Sequence, residues 1–124
     1  MKTLIATFLV LFLSIPTAMA GSVAGKGVWC PKDDVIEESF GFWFEEEKAL
    51  KIFLKGYLVS TDDYNYQEET NVIVISGGYR LDRRTLKLVI PNKFDRQCYL
   101  ATSYDELVAK LEDISAAAEA KNKI

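Results

Sequence analysis

Phe40-Gly41-Phe42-Trp43-Phe44, then Glu45-Glu46-Glu47, then Leu50-Lys51-Ile52-Phe53-Leu54-Lys55-Gly56-Tyr57-Leu58, is the stretch that decides the fold. Phe40, Phe42 and Phe44 fall on one face and Trp43 on the other, which is the period-two pattern of a strand. The acidic run makes a solvated turn. Leu50, Ile52, Leu54 and Leu58 then alternate with Lys51, Phe53, Lys55 and Tyr57, predicting a second strand in which Gly56 marks a bulge or close approach. The two segments form a hairpin.

Toward the C-terminus a loop is expected from Ser60 to Thr70. Val72-Ile73-Val74-Ile75, β-branched and closed by Gly77-Gly78, reads as a central strand buried on both faces. Tyr79-Arg80-Leu81 and Leu86 to Ile90 flank the polar Asp82-Arg83-Arg84-Thr85, a second hairpin ended by Pro91-Asn92, and Gln97-Cys98-Tyr99-Leu100 supplies a last short strand. Ser103 with Glu106 forms a capping box ahead of Leu107, Val108, Leu111 and Ile114, so a helix starts at about residue 103. Toward the N-terminus, Pro31 to Asp34 reads as a turn and Asp33 to Ser39 as a short helical turn, with order beginning near Trp29-Cys30. The expected fold is mainly β (α+β): a five- to six-stranded antiparallel meander, as a curved sheet or half-barrel, with one C-terminal amphipathic helix on one face or closing one mouth. The domain should cover residues 29–115, with a flexible leader at 21–28 and a frayed tail at 116–124.

The first twenty residues stand apart. Lys2, the apolar run Leu4 to Leu13 and Ala18-Met19-Ala20 have the three-part form of a secretory signal cleaved near Ala20. That run is too short to span a bilayer. Ala20 is followed by Gly21 and Ser22, with the first Cys only at Cys30, so no lipid anchor is expected. Periplasmic or secreted export follows.

The chain of 124 residues carries 15 Lys+Arg against 18 Asp+Glu, a formal charge of −3, and no His. Lacking His, it has no Ser-His or Cys-His nucleophile pair and lacks the commonest zinc ligand. An acidic balance with dispersed cations does not make a nucleic-acid footprint, and no cofactor or metal is expected. In an oxidising compartment the two cysteines pair as Cys30–Cys98, since a redox or metal role would want C-x-x-C spacing or a third ligand. Closing a loop of about 69 residues is worth on the order of 4 kcal/mol in the chain-entropy model.

Three groups of residues carry possible chemistry. Phe40, Phe42, Phe44 and Phe53 suit a packed core, whereas Trp43 with Tyr64 and Tyr66 of the central loop would form an outward aromatic recognition surface. The acid clusters Asp33-Asp34, Glu37-Glu38, Glu45 to Glu47, Asp62-Asp63 and Glu68-Glu69 lack the alternation and Gly turn of a calcium loop, and read as solvated faces rather than a glycosidase pair. Arg80, Arg83 and Arg84 at the hairpin tip could grip a carboxylate or phosphate, or simply form a charged turn.

Trp29-Cys30-Pro31, Gly41-Phe42-Trp43-Phe44, Gly56-Tyr57, Leu81-Asp82-Arg83-Arg84-Thr85-Leu86 and Cys98 together resemble a pattern of small exported bacterial proteins of unknown function. The resemblance covers most of the chain after the signal and implies export and a β-rich disulfide domain. Ile75-Ser76-Gly77-Gly78-Tyr79 is also similar to the Ser-rich loop of the periplasmic inhibitors of C-type lysozyme, small β-barrels stapled by one disulfide; the rest of their motif does not occur, and no residue role is carried over. The expected function is that of an exported, non-enzymatic domain binding a protein or envelope component through an exposed strand edge or aromatic loop. The alternatives are a structural or oligomeric envelope part, and a small hydrolase using carboxylates or Ser and Lys.

Overall fold

The computed structural model describes residues 22–32 and 38–121. The signal and its cleavage site, and most of the helical turn expected at 33–39, lie outside the described residues. Ten strands form two antiparallel sheets: β1 (Lys26–Cys30), β2 (Phe40–Phe44), β3 (Ala49–Lys55), β4 (Leu58–Tyr64), β5 (Tyr66–Glu68), β6 (Val72–Ile75), β7 (Tyr79–Asp82), β8 (Lys87–Val89), β9 (Arg96–Gln97) and β10 (Tyr99–Ala101). One sheet runs β10-β1-β2-β3-β4, the other β5-β6-β7-β8-β9, and they do not close into a barrel. Helix α1 (Tyr104–Ala120) lies on the outer face of the first sheet. The class is the expected one, mainly β, antiparallel, with a C-terminal helix.

The extra strands come from places where polarity hides strand structure. Residues Ser60–Thr70, expected as a loop, are mostly β4 and β5, and the chain turns from one sheet into the other at Asn65. Edge strands tolerate such charged sequence because one flank faces water. The corner is clamped by Ser76, whose N–H donates to the Asn65 carbonyl at 2.8 Å and whose Oγ accepts from Asn65 N–H at 3.1 Å. The expected strand Gln97–Leu100 is likewise broken at Cys98, where the chain returns to the first sheet as β10. Gly56 is not a bulge: Lys55 pairs with Leu58, so Gly56-Tyr57 is a two-residue hairpin loop, and its φ of +64° at the first position is what a II′ turn needs.

Three further expectations change. Order begins before Trp29, because Gly27 and Val28 pair on both sides within the sheet and Val23 is buried, its N–H held by Glu68 Oε1 at 2.8 Å. Strand β6 is buried on one face only, through Ile73 and Ile75, since among the described residues no layer covers the outside of the second sheet. The helix does not fray at Ala116 but continues to Ala120, and Ser115, buried against the sheet, donates to the Tyr57 carbonyl at 2.7 Å.

Packing makes three layers with two cores. Between the sheets lie Phe40, Phe42, Phe44, Ile73, Ile75, Leu81 and Leu88; between first sheet and helix lie Trp29, Ile52, Leu54, Ala101, Leu107 and Leu111. Both faces of the β2–β3 hairpin are therefore covered. Two glycines permit the helix-side contact: a Cβ on Gly41 would sit 2.6 Å from Leu107 Cδ2, and one on Gly27 2.5 Å from Trp43 Cε3. Cys30 and Cys98 are bonded, with Cα atoms 4.2 Å apart, just under the usual ~4.4–6.8 Å.

Candidate functional site

The antiparallel register decides where the β3 side chains go. Phe40 pairs with Phe53, Phe42 with Lys51 and Phe44 with Ala49, and paired residues share a face. Lys51 therefore points between the sheets, beside the Phe trio, not outward. Its Nζ lies 4.7 Å from the centre of the Phe40 ring, 5.6 Å from Phe53 and 5.5 Å from Tyr79, and donates to Tyr79 Oη at 3.2 Å. Cation–π attraction compensates part of its desolvation. Among the described residues no carboxylate pairs with it.

Arg96, on β9, also approaches the Phe40 ring. Its guanidinium lies 5.0 Å from the Phe40 centroid, and Nη1 donates to the carbonyls of Glu38 at 2.8 Å and Cys30 at 3.3 Å. Burial lowers its pKa from the ordinary value, partly countered by Glu38. With Lys93, Ser39, Ile90 and Pro91 these residues line a cavity of about 280 Å³ at one mouth of the sandwich. Glu38, the acid at its rim, is held below the usual carboxylate range by its hydrogen bond to Lys32 at 2.8 Å, with Lys93 a weaker contributor at 4.0 Å. Beside the mouth, the loop between β8 and β9 carries Phe94, 96% exposed. A broader groove of about 880 Å³ shares Glu38, Lys93 and Arg96 and reaches Phe94 and Tyr99.

The residues singled out from sequence do not gather. Trp43 lies on the helix side, edge-on to Tyr104 at 6.3 Å. Tyr64 and Tyr66 face the other way, into the inter-sheet core, against Phe42 at 6.0 Å and Phe44 at 5.2 Å. Burial raises both phenol pKa values, and the Tyr66 hydroxyl donates to the Glu45 carbonyl. The expected single aromatic surface is therefore divided by the first sheet. The arginines also diverge. Arg80 is exposed on the outer face of β7, Arg83 reaches Glu68 at 3.5 Å and the Glu69 carbonyl at 2.7 Å, and Arg84 is exposed at the turn. Asp82 organises that turn by accepting from the N–H groups of Arg84 and Thr85, which lowers its pKa. Among the described residues no three His, Cys, Asp or Glu converge as metal ligands, and no helix is long and apolar enough to cross a membrane.

Lys51, Tyr79, Arg96 and Phe94 were missed by sequence reasoning. For Lys51 a signal existed, because a core of Phe40, Phe42, Phe44 and Phe53 on one face obliges the intervening Lys51 to share it. No protein-family model, curated protein or solved structure matches the chain.

Proposed function

We propose that the protein is an exported, non-catalytic binding domain that engages a protein or envelope component through the β8–β9 loop and the adjoining edge strand β10. The observation that carries this reading is Phe94, 96% exposed on a loop tip, with Tyr99 and Leu100 of β10 at 56% and 68%. Phe94, Tyr99 and Leu100 together give a partner exposed apolar area to bury at the rim of a groove, and contiguous apolar area of this kind marks recognition surfaces. The aromatic loop is thus residues 91–95 in place of Tyr64 and Tyr66. The twenty-residue N-terminal signal pattern and the Cys30–Cys98 bond support export.

The test compares wild type with Phe94→Ser. Melting temperatures should agree, because an exposed side chain away from special features contributes within about 0.5 kcal/mol. Affinity capture from an envelope extract should retain a specific partner with wild type and lose it with the variant. Equal retention by both would sink the loop as the contact surface.

A further inference from the structure

We infer that the cavity around Lys51, Lys93 and Arg96 is a binding site for a small organic anion, a carboxylate carried on an apolar body. It lies at the mouth between the sheets and shares Pro91 and Lys93 with the β8–β9 loop, but Phe94 does not line it, so it can be tested separately from the docking reading above.

Four observations lead there. The first is charge: among the described residues three cations and one carboxylate line the cavity, on a chain whose formal charge is −3, and that carboxylate, Glu38, is engaged by Lys32 at 2.8 Å and more loosely by Lys93 at 4.0 Å, leaving Lys51 and Arg96 without a carboxylate partner among the described residues. The second is unspent hydrogen-bonding capacity. Lys51 Nζ has Tyr79 Oη as its hydrogen-bond partner among the described residues, leaving the other ammonium protons for a ligand. Arg96 donates from Nη1 to two carbonyls, and its Nε and Nη2 have no hydrogen-bond acceptor among the described residues.

The third is placement. Lys51 is half-buried on the inner face of an interior strand, where methionine would fill the same space without the partial desolvation of an ammonium. Lys51 is held there by rings and a phenol, which orient an ammonium without neutralising it. The fourth is the wall: Phe40, Phe53, Tyr79, Ile90 and Pro91 offer apolar surface beside the cations, and about 280 Å³ is near the lower limit of small-ligand pockets. A bare, strongly hydrated ion would leave that wall uncovered. A short-chain acid would place its carboxylate between Lys51 and Arg96 and its alkyl group against the rings.

The test is an amide chemical-shift titration of the exported protein with three probes: hexanoate, hexanol and inorganic phosphate. Hexanoate should shift the signals of Lys51, Tyr79 and residues 90–96 saturably, with hexanol and phosphate producing no saturable change there. Lys51→Met, which keeps the stem and removes the charge, should weaken hexanoate about tenfold or more, the loss expected for one charge-assisted hydrogen bond, while Lys55→Met on the exposed end of β3 leaves it unchanged. Lys51→Met should also melt no lower than wild type. Binding of hexanol equal to hexanoate would overturn the anionic requirement, saturation by phosphate alone would overturn the apolar one, and the absence of any saturable shift would overturn the site. The wild-type titrations decide this even if the variant fails to fold. Loss of binding in Phe94→Ser would instead show that the cavity and the loop are one surface.

Discussion

At the scale of single residues, the glycines facing the helix are as specific as any large side chain. Gly27 is overlaid by the Trp43 indole, and a Cβ there would meet Trp43 Cε3 at 2.5 Å and the Phe42 carbonyl oxygen at 2.8 Å. The ring can tilt, but the backbone oxygen belongs to the paired strand and cannot move without disturbing the ladder. Gly27→Ala should therefore cost about 1–3 kcal/mol in denaturant unfolding, the usual penalty of overpacking, although alanine suits a strand no worse than glycine. Unchanged stability would mean that the indole is not seated on β1. Lys51 teaches the complementary lesson. Its alternation with Leu50 and Ile52 is plain in the sequence, but alternation says only that they face opposite ways, and here both ways lead into a core.

At the scale of elements, the helix start was legible and its end was not. Ser103 Oγ accepts from Glu106 N–H at 3.1 Å, as the capping pattern requires, while the Glu106 carboxylate turns to Thr102, accepting from its N–H at 2.6 Å and its hydroxyl at 2.5 Å. Ser103→Ala should destabilise the protein by about 1 kcal/mol, read from the denaturation midpoint. The Thr102 bonds lower the Glu106 pKa from its ordinary 4.5. A carboxylate whose folded pKa is depressed contributes stability present above the unfolded value and lost as pH falls through the folded one. The melting temperature should therefore fall on acidification below about pH 4.5, and Glu106→Gln should flatten that fall without altering stability's slope near neutrality; an unflattened profile would remove Glu106 as a source. The helix end escaped notice because Ala116 to Ala120 carry no apolar stripe, and their order follows from the anchoring of Ser115 on the Tyr57 carbonyl.

At the scale of the whole molecule, two cores share one sheet, and the disulfide sits where the chain crosses between sheets. Cys98 is the corner residue between β9 and β10, and its bond to Cys30 at the end of β1 ties the second sheet's last strand to the first sheet's interior. With the two cysteines 68 positions apart in sequence, reduction should lower stability by about 4 kcal/mol on the chain-entropy account, close to the whole stability of a marginal domain. Calorimetry with and without reductant measures this. Coincident melting curves would leave the bond without a structural role.

Sequence by itself determined the strand identity of Phe40–Phe44, Val72–Ile75 and the Asp82 hairpin, the cysteine pairing and the helix cap, because each rests on local steric preference or on there being no other partner. It could not decide which faces are covered. Trp43, Tyr64 and Tyr66 read as one outward surface until the corner at Asn65 folds the second sheet over the two tyrosines and the helix settles on the tryptophan. Only the tertiary structure brings Lys51, Arg96 and Tyr79, from three strands in two sheets, around one cavity. Period-two patterning fixes a side chain's orientation relative to its own strand, whereas burial depends on what packs against that strand from elsewhere in the chain.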